Sequence, residues 1–559
     1  LDTLGIASVL PFVAVLSNPE LVETNEALIF FYDASSKLGV SNINEFLFIL
    51  GVTSFLLLMI SVIVRSTAHY YQVHFALMRE YNISKKLIEG FLHQPYYWFL
   101  TRHSADLGKN ILSEVNEVVY LSIIPMLNLI SRVLVTTTLL TFLIIANPIL
   151  TLSIGLFLSL TYGLIFYFLK KTLYRLGSER LQANSDRYST TLEAFSAIKD
   201  IKIAGLEHVY VNRFAKPALI FGKNQILAKV ISDIPKFILE GIIFGGMIFL
   251  ILILMKFGND FIKILPILTL YAFAGYRLIP ALQQIYSSVT QIHFSKAVLD
   301  SLHKDFISSE QSLSKMTDNI LKMPITKSIK LNNINFRYSN SAYPTLKNIN
   351  FTVPALSKVG IVGTTGSGKT TTVDLILGLL EPNKGEIIVD GNIINTVNKR
   401  SWQRSIGYVP QQIYLSDTSI QSNIAFGVDV NKIDYKAVEE AAKIANLHNF
   451  IMNELPNKYK TTVGERGVRL SGGQRQRIGI ARALYHKPKL VIFDEATSSL
   501  DNFTEKNVMD AIYNLKSQVT IIIIAHRINT IKNCDTIFLL ESGELKAQGN
   551  YHELMISSK

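Results

Sequence analysis

The chain has 559 residues, a net charge of +12 and a mean hydropathy of +0.28. It is too long for one domain, and its average is too apolar for two soluble domains, so a large part should lie in a membrane. Its single cysteine, Cys534, excludes an intrachain disulfide. The basic residues flank apolar segments and form no dense patch with aromatic residues, which argues against a nucleic-acid partner.

Five segments in the first half are long and apolar enough to cross a bilayer, namely residues 46–64, 121–145, 149–169, 237–255 and 262–279. A sixth, residues 4–16, is shorter than a span requires, and the chain begins at Leu1 without a methionine. We therefore expect the first helix to be truncated and the complete domain to have six transmembrane helices. No basic start or small-residue cleavage site precedes Leu4, so no cleaved signal peptide is indicated.

The distribution of lysine and arginine predicts the orientation. Segment 168–224 is rich in both, whereas segment 18–45 contains only Lys37 among several acids. By the positive-inside rule, segment 168–224 is cytoplasmic, and segment 70–116 lies on the same side. The second to fifth helices should therefore continue beyond the membrane as stalks, and the C-terminal half should be cytoplasmic.

Three arginines lie within the apolar spans or at their ends: Arg65, Arg132 and Arg277. Ionisable groups in a membrane are costly and usually face a cavity or a partner. If Arg65 and Arg277 face a central cavity, their guanidinium groups would bind an anionic head group such as a phosphate or pyrophosphate, which predicts an acidic lipid as cargo. The alternative is that the arginines pair with acids of the stalks or extend to the membrane interface. For Arg65 and Arg277 this alternative and the cavity role are equally open, whereas for Arg132 the alternative is favoured.

The chain turns polar over residues 304–328 and lacks an apolar period there. This composition is typical of a linker. It predicts a transmembrane domain at 1–303 and a second domain at 329–559.

A phosphate-binding loop opens the second domain, after an apolar strand at 359–362 and before a helix at 371–380. The nucleotide-binding residues predicted here are Gly363, Thr364, Thr365, Gly366, Ser367, Gly368, Lys369, Thr370 and Thr371. The glycines let backbone N–H groups point at phosphates, Lys369 reaches the β and γ oxygens, and the Thr370 hydroxyl ligates Mg²⁺. We therefore predict that the chain binds ATP and Mg²⁺.

A second anion-binding pattern follows at Leu-Ser-Gly-Gly-Gln, where a serine and two glycines open a helix. Its predicted nucleotide-binding residues are Ser471, Gly472, Gly473 and Gln474. Because the phosphate loop lies roughly a hundred residues upstream on the same chain, this element needs ATP held elsewhere. A second copy of the chain is the expected holder, which predicts a homodimer.

Two further apolar strands end in functional candidates. Strand 489–493 is followed by Asp494, predicted to reach Mg²⁺, and by Glu495, predicted to orient or deprotonate the water that attacks the γ-phosphate. Strand 520–524 is followed by Ala525 and His526, and His526 is predicted to sense the γ-phosphate. The alternative for Asp494 and Glu495 is an ordinary solvated turn, and the alternative for His526 is a structural role. The surrounding motifs argue against both alternatives.

Together these motifs resemble the nucleotide-binding domain of the ABC family over residues 329–559. The resemblance implies that Tyr338 stacks on adenine, that Gln411 ligates Mg²⁺, assists catalysis and links the site to the membrane domain, and that Asp501 communicates across the dimer. Residues 464–467 look like the X-loop of exporters.

The fold implied is multi-domain, an all-α transmembrane domain of six helices (type IV exporter) followed by an α/β P-loop domain. Ser471 and Gly473 would close over ATP on the opposite subunit, which gives two composite sites per homodimer. Coupling helices are expected near 94–101 and 205–212.

Short stretches are also similar to the flippases that move lipid-linked oligosaccharides in bacteria: residues 2–12, Arg65 and residues 276–280. This resemblance implies a polyprenyl-pyrophosphate glycan or related glycolipid as cargo, a multi-pass position in the bacterial inner membrane, and a short external helix within 18–45 that touches the lipid tail. A multidrug, lipid or peptide exporter of the same fold is the alternative, and the arginines argue against cationic drugs. A soluble ABC ATPase acting on DNA or ribosomes is excluded by the apolar spans.

Overall fold

The computed structural model describes residues 12, 15–16, 22, 26–36, 40, 42–146, 148–256, 261–313, 321–495, 502–513, 519–525 and 528–557, some of them, including 261–277, by their backbone alone. The chain divides into two compact units. The first comprises Leu1–Gln94 and Trp98–Lys315, and the second comprises Pro95–Tyr97 and Met316–Lys559.

The secondary structure described in the first unit is helical. The α-helices described between residues 26 and 313 are α1 Glu26–Ser36, α2 Ile43–Leu92, α3 Tyr96–Leu100, α4 Ser104–Lys109, α5 Val115–Val118, α6 Ile124–Ala146, α7 Pro148–Ser196, α8 Ile198–Ala204, α9 Glu207–Lys256 and α10 Phe261–Leu313. Helices α2, α7, α9 and α10 have 50, 49, 50 and 53 residues. Each is therefore about 75 Å long, against a hydrocarbon thickness of about 30 Å. The second, fourth and fifth predicted spans, in α2, α7 and α9, therefore lie in helices long enough to continue beyond a membrane, as expected; the third span lies in a run of shorter helical elements, and the sixth, in α10, is also part of a long helix.

Three helical runs among the described residues are long and apolar enough to cross a membrane: Ile43–Leu92, Ser104–Thr141 and Thr151–Ser196. They contain the predicted span at 46–64 and most of the spans at 121–145 and 149–169. The spans at 237–255 and 262–279 lie in α9 and α10. The short segment 4–16 falls almost entirely outside the described residues.

A buried ionic cluster holds the stalk ends of α5 and α7 together. Arg180 is 1% exposed; its Nη2 lies 2.6 Å from Glu114 Oε2, and its Nη1 lies 2.9 Å from Glu117 Oε1. Asn184 donates a hydrogen bond of 2.7 Å to the other oxygen of Glu114. Glu114 lies in a π-helical turn, Asn110–Glu114, between α4 and α5. Because Arg180 and Glu114 are buried, each depends on its partners for stabilisation.

Two boundaries differ from those expected from the sequence. Helix α10 continues to Leu313, so the start of the predicted linker is helical. This part of the helix is held by polar contacts, since the buried Asp305 accepts hydrogen bonds from Arg102 and Asn110. Polar contacts of this kind give the sequence no apolar period, so the sequence does not predict the helix there.

The second difference concerns the expected coupling helix at 205–212. The short helix nearest to it is α8, which ends at Ala204 and is followed by Gly205 with a left-handed φ of 64°, and residues 207–212 already belong to α9. Near 94–101 the short helix is α3.

The second unit has two sheets. Its strands are β1 Ser328–Phe336, β2 Leu346–Pro354, β3 Lys358–Gly363, β4 Lys384–Val389, β5 Asn392–Ile393, β6 Ile406–Val409, β7 Leu490–Asp494, β8 Thr520–Ile524, β9 Thr536–Glu541 and β10 Glu544–Gly549. The six-stranded sheet has the order β10-β9-β3-β8-β7-β6 and is parallel except for β10, and the four-stranded sheet is antiparallel in the order β2-β1-β4-β5. Every residue of β7 and β8 is buried, as expected for parallel strands covered on both faces.

Helices cover these sheets. They are α11 Lys369–Ile376, α12 Lys399–Gln403, α13 Ile420–Ile424, α14 Tyr435–Ile444, α15 His448–Glu454, α16 Gly472–Tyr485, α17 Asn502–Tyr513, α18 Ile528–Ile531 and α19 Tyr551–Ser557. Because β3, β7 and β8 are parallel neighbours, their carboxyl ends meet at one edge of the sheet. Open α/β sheets bind ligands at this edge.

The start of β1 is fixed to the antiparallel sheet through Asp390. The backbone N–H groups of Thr326, Lys327 and Ser328 donate to the Asp390 carboxylate over 2.6 to 2.9 Å. Partial burial raises the pKa of Asp390, but these hydrogen bonds outweigh it and lower the pKa to about 2. The residues just before β1 are therefore held to the α/β unit by a charged anchor.

Candidate functional site

The glycine-rich loop joins the end of β3 to the start of α11. Gly366 and Gly368 have left-handed φ values of 82° and 98°, which only glycine adopts at little cost. A Cβ at Gly368 would lie 2.5 Å from Leu346 Cδ2, whereas one at Gly366 would meet open space. The loop therefore packs on β2 at one end and leaves Thr364, Thr365 and Gly366 exposed.

Lys369 lies inside the curl of this loop. It is 6% exposed, and its Nζ donates to the carbonyl oxygens of Gly363 and Thr364 over 2.9 and 3.0 Å. No carboxylate in the described part of the chain pairs with it. The buried Ser367 hydroxyl likewise has no hydrogen-bond partner among the described residues. A buried ammonium and an unsatisfied hydroxyl beside exposed backbone fit an anionic ligand.

Tyr338 lies beside the loop. Its hydroxyl is 3.2 Å from Thr371 Oγ1, and its ring packs edge-on against Phe336 at 4.9 Å. Tyr338 is only partly buried, so part of its surface remains accessible to a ligand.

Carboxylates cluster at the adjacent end of β7. The Asp494 side chain is buried and accepts a hydrogen bond of 3.2 Å from the Tyr408 hydroxyl. Burial, followed by the charge of Asp494, raises the pKa of Asp374 on α11 to about 6. Burial and Asp494 also raise the pKa of Tyr408. The end of β7 is therefore rich in negative charge, which suits a cation.

Glu495 and Gln411 are brought together although they are far apart in sequence. Gln411 Nε2 donates to Glu495 Oε2 over 2.6 Å. Glu495 has a left-handed φ of 50°, and its N–H donates to the carbonyl of Ile524 at the end of β8. Left-handed backbone is uncommon in a non-glycine residue and recurs at functional sites. It turns the Glu495 side chain out of the buried strand.

The Ser471 pattern forms the start of α16. Ser471 Oγ accepts a hydrogen bond from Gln474 N, and the Gln474 side chain accepts one from Ser471 N, which makes a capping box. Ser471 is exposed, and Gly472, Gly473 and Gln474 form the first turn. This helix of 14 residues therefore presents a serine and a positive helix end at the surface.

The oxygen donors available for a metal fit Mg²⁺. They are the exposed Thr370 hydroxyl at the start of α11, the Asp494 carboxylate and the Gln411 amide. The described residues hold no group of three or more His, Cys, Asp or Glu that could bind a metal by themselves. Mg²⁺ is usually bound by a few protein ligands, and phosphate and water supply the remaining ones.

His526 and Asp501 lie outside the described residues, and Arg277 lies on α10 where only the backbone is described. Arg65 is exposed on α2, and so is Arg132 on α6.

Sequence reasoning missed Tyr408 and Asp374. Both contribute to the charge at Asp494. Tyr408 lies on β6, three residues before Gln411, and Asp374 is an acid in an otherwise apolar stretch of α11. An acid at a buried helix position was the available indication.

Comparison with known proteins identifies both halves. The family model described as "ABC transporter" matches residues 346–498, and the model described as "ABC transporter transmembrane region" matches residues 28–286. The matches cover the glycine loop and the helical unit respectively.

Relatives from a plant and from a bacterium match most of the chain. ABC transporter B family member 29, chloroplastic, from Arabidopsis thaliana is 33% identical over 449 residues, which are 79% of this chain and 69% of the relative. The ATP-dependent lipid A-core flippase of Cupriavidus metallidurans is 28% identical over 490 residues, 84% of this chain and 78% of the relative.

A solved structure described as a bacterial Atm1-family ABC exporter with ATP bound has the same fold, with a TM-score of 0.76 at 22% identity, over 100% of this chain and 96% of the other. The predicted fold class is confirmed. The chain therefore belongs to the ABC transporter family, as an ATP-driven membrane transporter with the type IV exporter fold, in which a helical transmembrane domain precedes an α/β nucleotide-binding domain.

Proposed function

We propose that the chain works as a homodimeric flippase that moves a lipid-linked oligosaccharide or another anionic glycolipid from the cytoplasmic to the outer leaflet of a bacterial inner membrane. The proposed domains are residues 1–303, a linker at 304–328 and residues 329–559, with the nucleotide-binding domain in the cytoplasm.

The observation that supports ATP binding and hydrolysis is the buried Lys369 ammonium, whose hydrogen bonds within the described part of the chain go to backbone carbonyls of the glycine loop. In the proposed site Lys369 binds the β- and γ-phosphates, the loop N–H groups hold the other oxygens, and Tyr338 stacks on the adenine. Thr370, Gln411 and Asp494 would hold Mg²⁺, which offsets phosphate charge when bound.

Glu495 is the proposed general base. Its hydrogen bond to Gln411 holds the carboxylate at the edge of the sheet where β3 and β7 end. A carboxylate there can orient the attacking water and accept its proton. Asp501 and His526 are assigned their roles, contact across the dimer and sensing of the γ-phosphate, by the family resemblance alone.

The proposal of two composite sites rests on the exposed capping box. Ser471 and the first N–H groups of α16 are suited to phosphate, yet they are on a different helix from the glycine loop. A second subunit that supplies Ser471, Gly472, Gly473 and Gln474 would complete each site. ATP would then join two chains, and its hydrolysis would release them.

The cargo is argued from the helical unit. Arg65 is exposed on α2 within the run 62–71, in which every residue is exposed. A guanidinium presented in this way suits a phosphate or pyrophosphate head group. On α1 the exposed Phe30 and Phe31 are suited to contact with a lipid tail, while Leu28 packs into the unit. The relative from Cupriavidus metallidurans is named an ATP-dependent lipid A-core flippase, which is a precedent for a lipid cargo.

Reconstitution in proteoliposomes tests this proposal. Polyprenyl-pyrophosphate glycans, lipid A-type lipids, cationic drugs and peptides are each added, and ATPase stimulation and transfer across the bilayer are both measured. Arg65→Ala should cut glycolipid transfer and spare basal ATPase activity, with Arg132→Ala as the matched control. Stimulation by drugs or peptides alone would support the multidrug or peptide alternative and reject the glycolipid.

A further inference from the structure

The segment 411–416, which carries Gln411, lies against the Ser471 helix, the name used here for α16 with its cap Ser471. The segment follows β6 and has no regular secondary structure. A Cβ at Gly479 of the helix would collide with Ile413 Cδ1, and one at Gly467, just before the helix, would lie 2.7 Å from Leu415 Cδ1. Two side chains of the segment therefore fit where glycines leave space.

Arg482 holds Tyr414, the residue between Ile413 and Leu415. Its Nη1 donates to the Tyr414 carbonyl over 2.8 Å, and its Nε donates to the Asn423 carbonyl over 2.8 Å. Its Nη2 reaches Asn423 Oδ1 at 3.2 Å, and its guanidinium lies 4.6 Å from the centre of the Phe426 ring. Since Gly479 and Arg482 are three residues apart, both lie on the same face of the Ser471 helix.

Asn423 holds the other end of the segment. It is fully buried, its Nδ2 donates to the Ser416 carbonyl over 2.9 Å, and its Oδ1 accepts from Ser416 N over 3.0 Å. The guanidinium of Arg482 therefore bonds both to the segment directly and to the residue that anchors its end. Burial lowers the pKa of Arg482 to about 10, so the side chain remains charged at neutral pH.

We propose that Arg482 is a positioning residue that makes the Gln411 segment move together with the Ser471 helix. Only Gln412 separates Gln411 from the clamped residues, and Gln411 bonds to Glu495. A shift of Ser471 towards or away from a nucleotide would then shift Gln411 relative to Glu495. This inference rests on the proposed function, because the roles of Gln411, Glu495 and Ser471 are assigned there. Arg482 itself touches none of the reacting groups.

A double-mutant cycle in the full-length chain tests the link. Arg482→Met keeps an unbranched apolar stem but removes the fork, and Gln411→Ala removes the group to be positioned. Each change alone should lower kcat roughly 10- to 100-fold, with a smaller effect on the KM for ATP, because the misplaced group acts mainly on the chemical step. If Arg482 acts through Gln411, the double variant should be no slower than Gln411→Ala alone. Losses that multiply would overturn the proposal and leave Arg482 a structural residue.

Arg482→Lys covers the case in which Arg482→Met does not fold. Lysine keeps the charge but cannot bond Tyr414 and Asn423 in the fork geometry, so the same non-additive result with Gln411→Ala is expected. Wild-type kcat in Arg482→Lys would also overturn the proposal. Lys443→Gln on α14, which removes an exposed ion pair with Glu439, is the matched control and should behave as wild type.

Glu495→Gln measured in parallel separates the two levels of inference. If Glu495→Gln keeps full ATPase activity, the proposed function fails. If Glu495→Gln stops turnover while Arg482→Met retains wild-type kcat, only the positioning role of Arg482 fails.

Discussion

Glu495 combines three features. It follows a fully buried strand, has a left-handed backbone conformation, and accepts a short hydrogen bond from Gln411. Backbone strain of this kind persists only where the surrounding structure enforces it, and here β8 does so through the Ile524 carbonyl. The geometry gives the Glu495 side chain a fixed place at the edge of the sheet.

Glu495→Gln should therefore stop turnover and leave nucleotide binding intact. The amide keeps the size of the side chain but cannot accept a proton, so we expect ATP hydrolysis to fall by about a hundredfold or more. Hydrolysis and binding of labelled ATP are the two measurements. Loss of binding together with hydrolysis would contradict the assignment of Glu495 as a base.

Asp374 predicts a pH dependence of stability. Its folded-state pKa of about 6 lies above the ordinary value of 3.8, because burial and Asp494 disfavour its charge. Ionisation of Asp374 therefore lowers the free energy of unfolding. This loss of stability is absent below the unfolded pKa, grows from about pH 4 to 6 and is complete above pH 6. Asp374→Asn should raise the thermal midpoint at pH 7.5 and raise it progressively less towards pH 4. A gain independent of pH would contradict this explanation.

At the scale of elements, polar contacts set several boundaries. Helix α10 continues past its apolar stretch because Asp305 accepts hydrogen bonds from Arg102 and Asn110. The chain before β1 is held by Asp390. A hydrophobic period cannot indicate either contact, because the partners are distant in sequence.

The ionic cluster of α5 and α7 should be essential to the helical unit. Arg180→Met leaves Glu114 buried without its counter-charge, so we expect the free energy of unfolding to fall by about 3–5 kcal/mol. Denaturant unfolding in detergent measures the change. Arg175→Met on the same helix, which removes only an exposed pair with Glu179, is the matched control and should change stability little. Equal effects of both substitutions would show that burial is not the cause.

At the scale of the whole molecule, the assembly can be tested by mixing inactive chains. Lys369→Ala disables the glycine loop, and Ser471→Ala disables the second anion-binding element. In a homodimer with composite sites, a mixed dimer has one site with both defects and one intact site. Co-expression should therefore restore ATP trapping that neither variant shows alone. Absence of restoration in purified mixed dimers would indicate that each site lies within a single chain.

The sequence by itself determined the fold class and most of the candidate nucleotide site. Apolar length predicted the spans, and the glycine loop, Ser471, Asp494 and Glu495 were found because each follows a strand or opens a helix in a short local pattern. Such patterns are visible because backbone geometry demands particular residues at particular spacings.

Only the tertiary structure decided which distant residues meet. It joined Gln411 to Glu495, Tyr408 to Asp494, and Arg482 to the Gln411 segment, and it buried Arg180 between Glu114 and Glu117. These contacts follow from strand order and helix packing, which bring together residues that are distant in sequence and share no local pattern. The physical reason is that a hydrogen bond depends on position in space, whereas periodicity reports only which face of an element is buried.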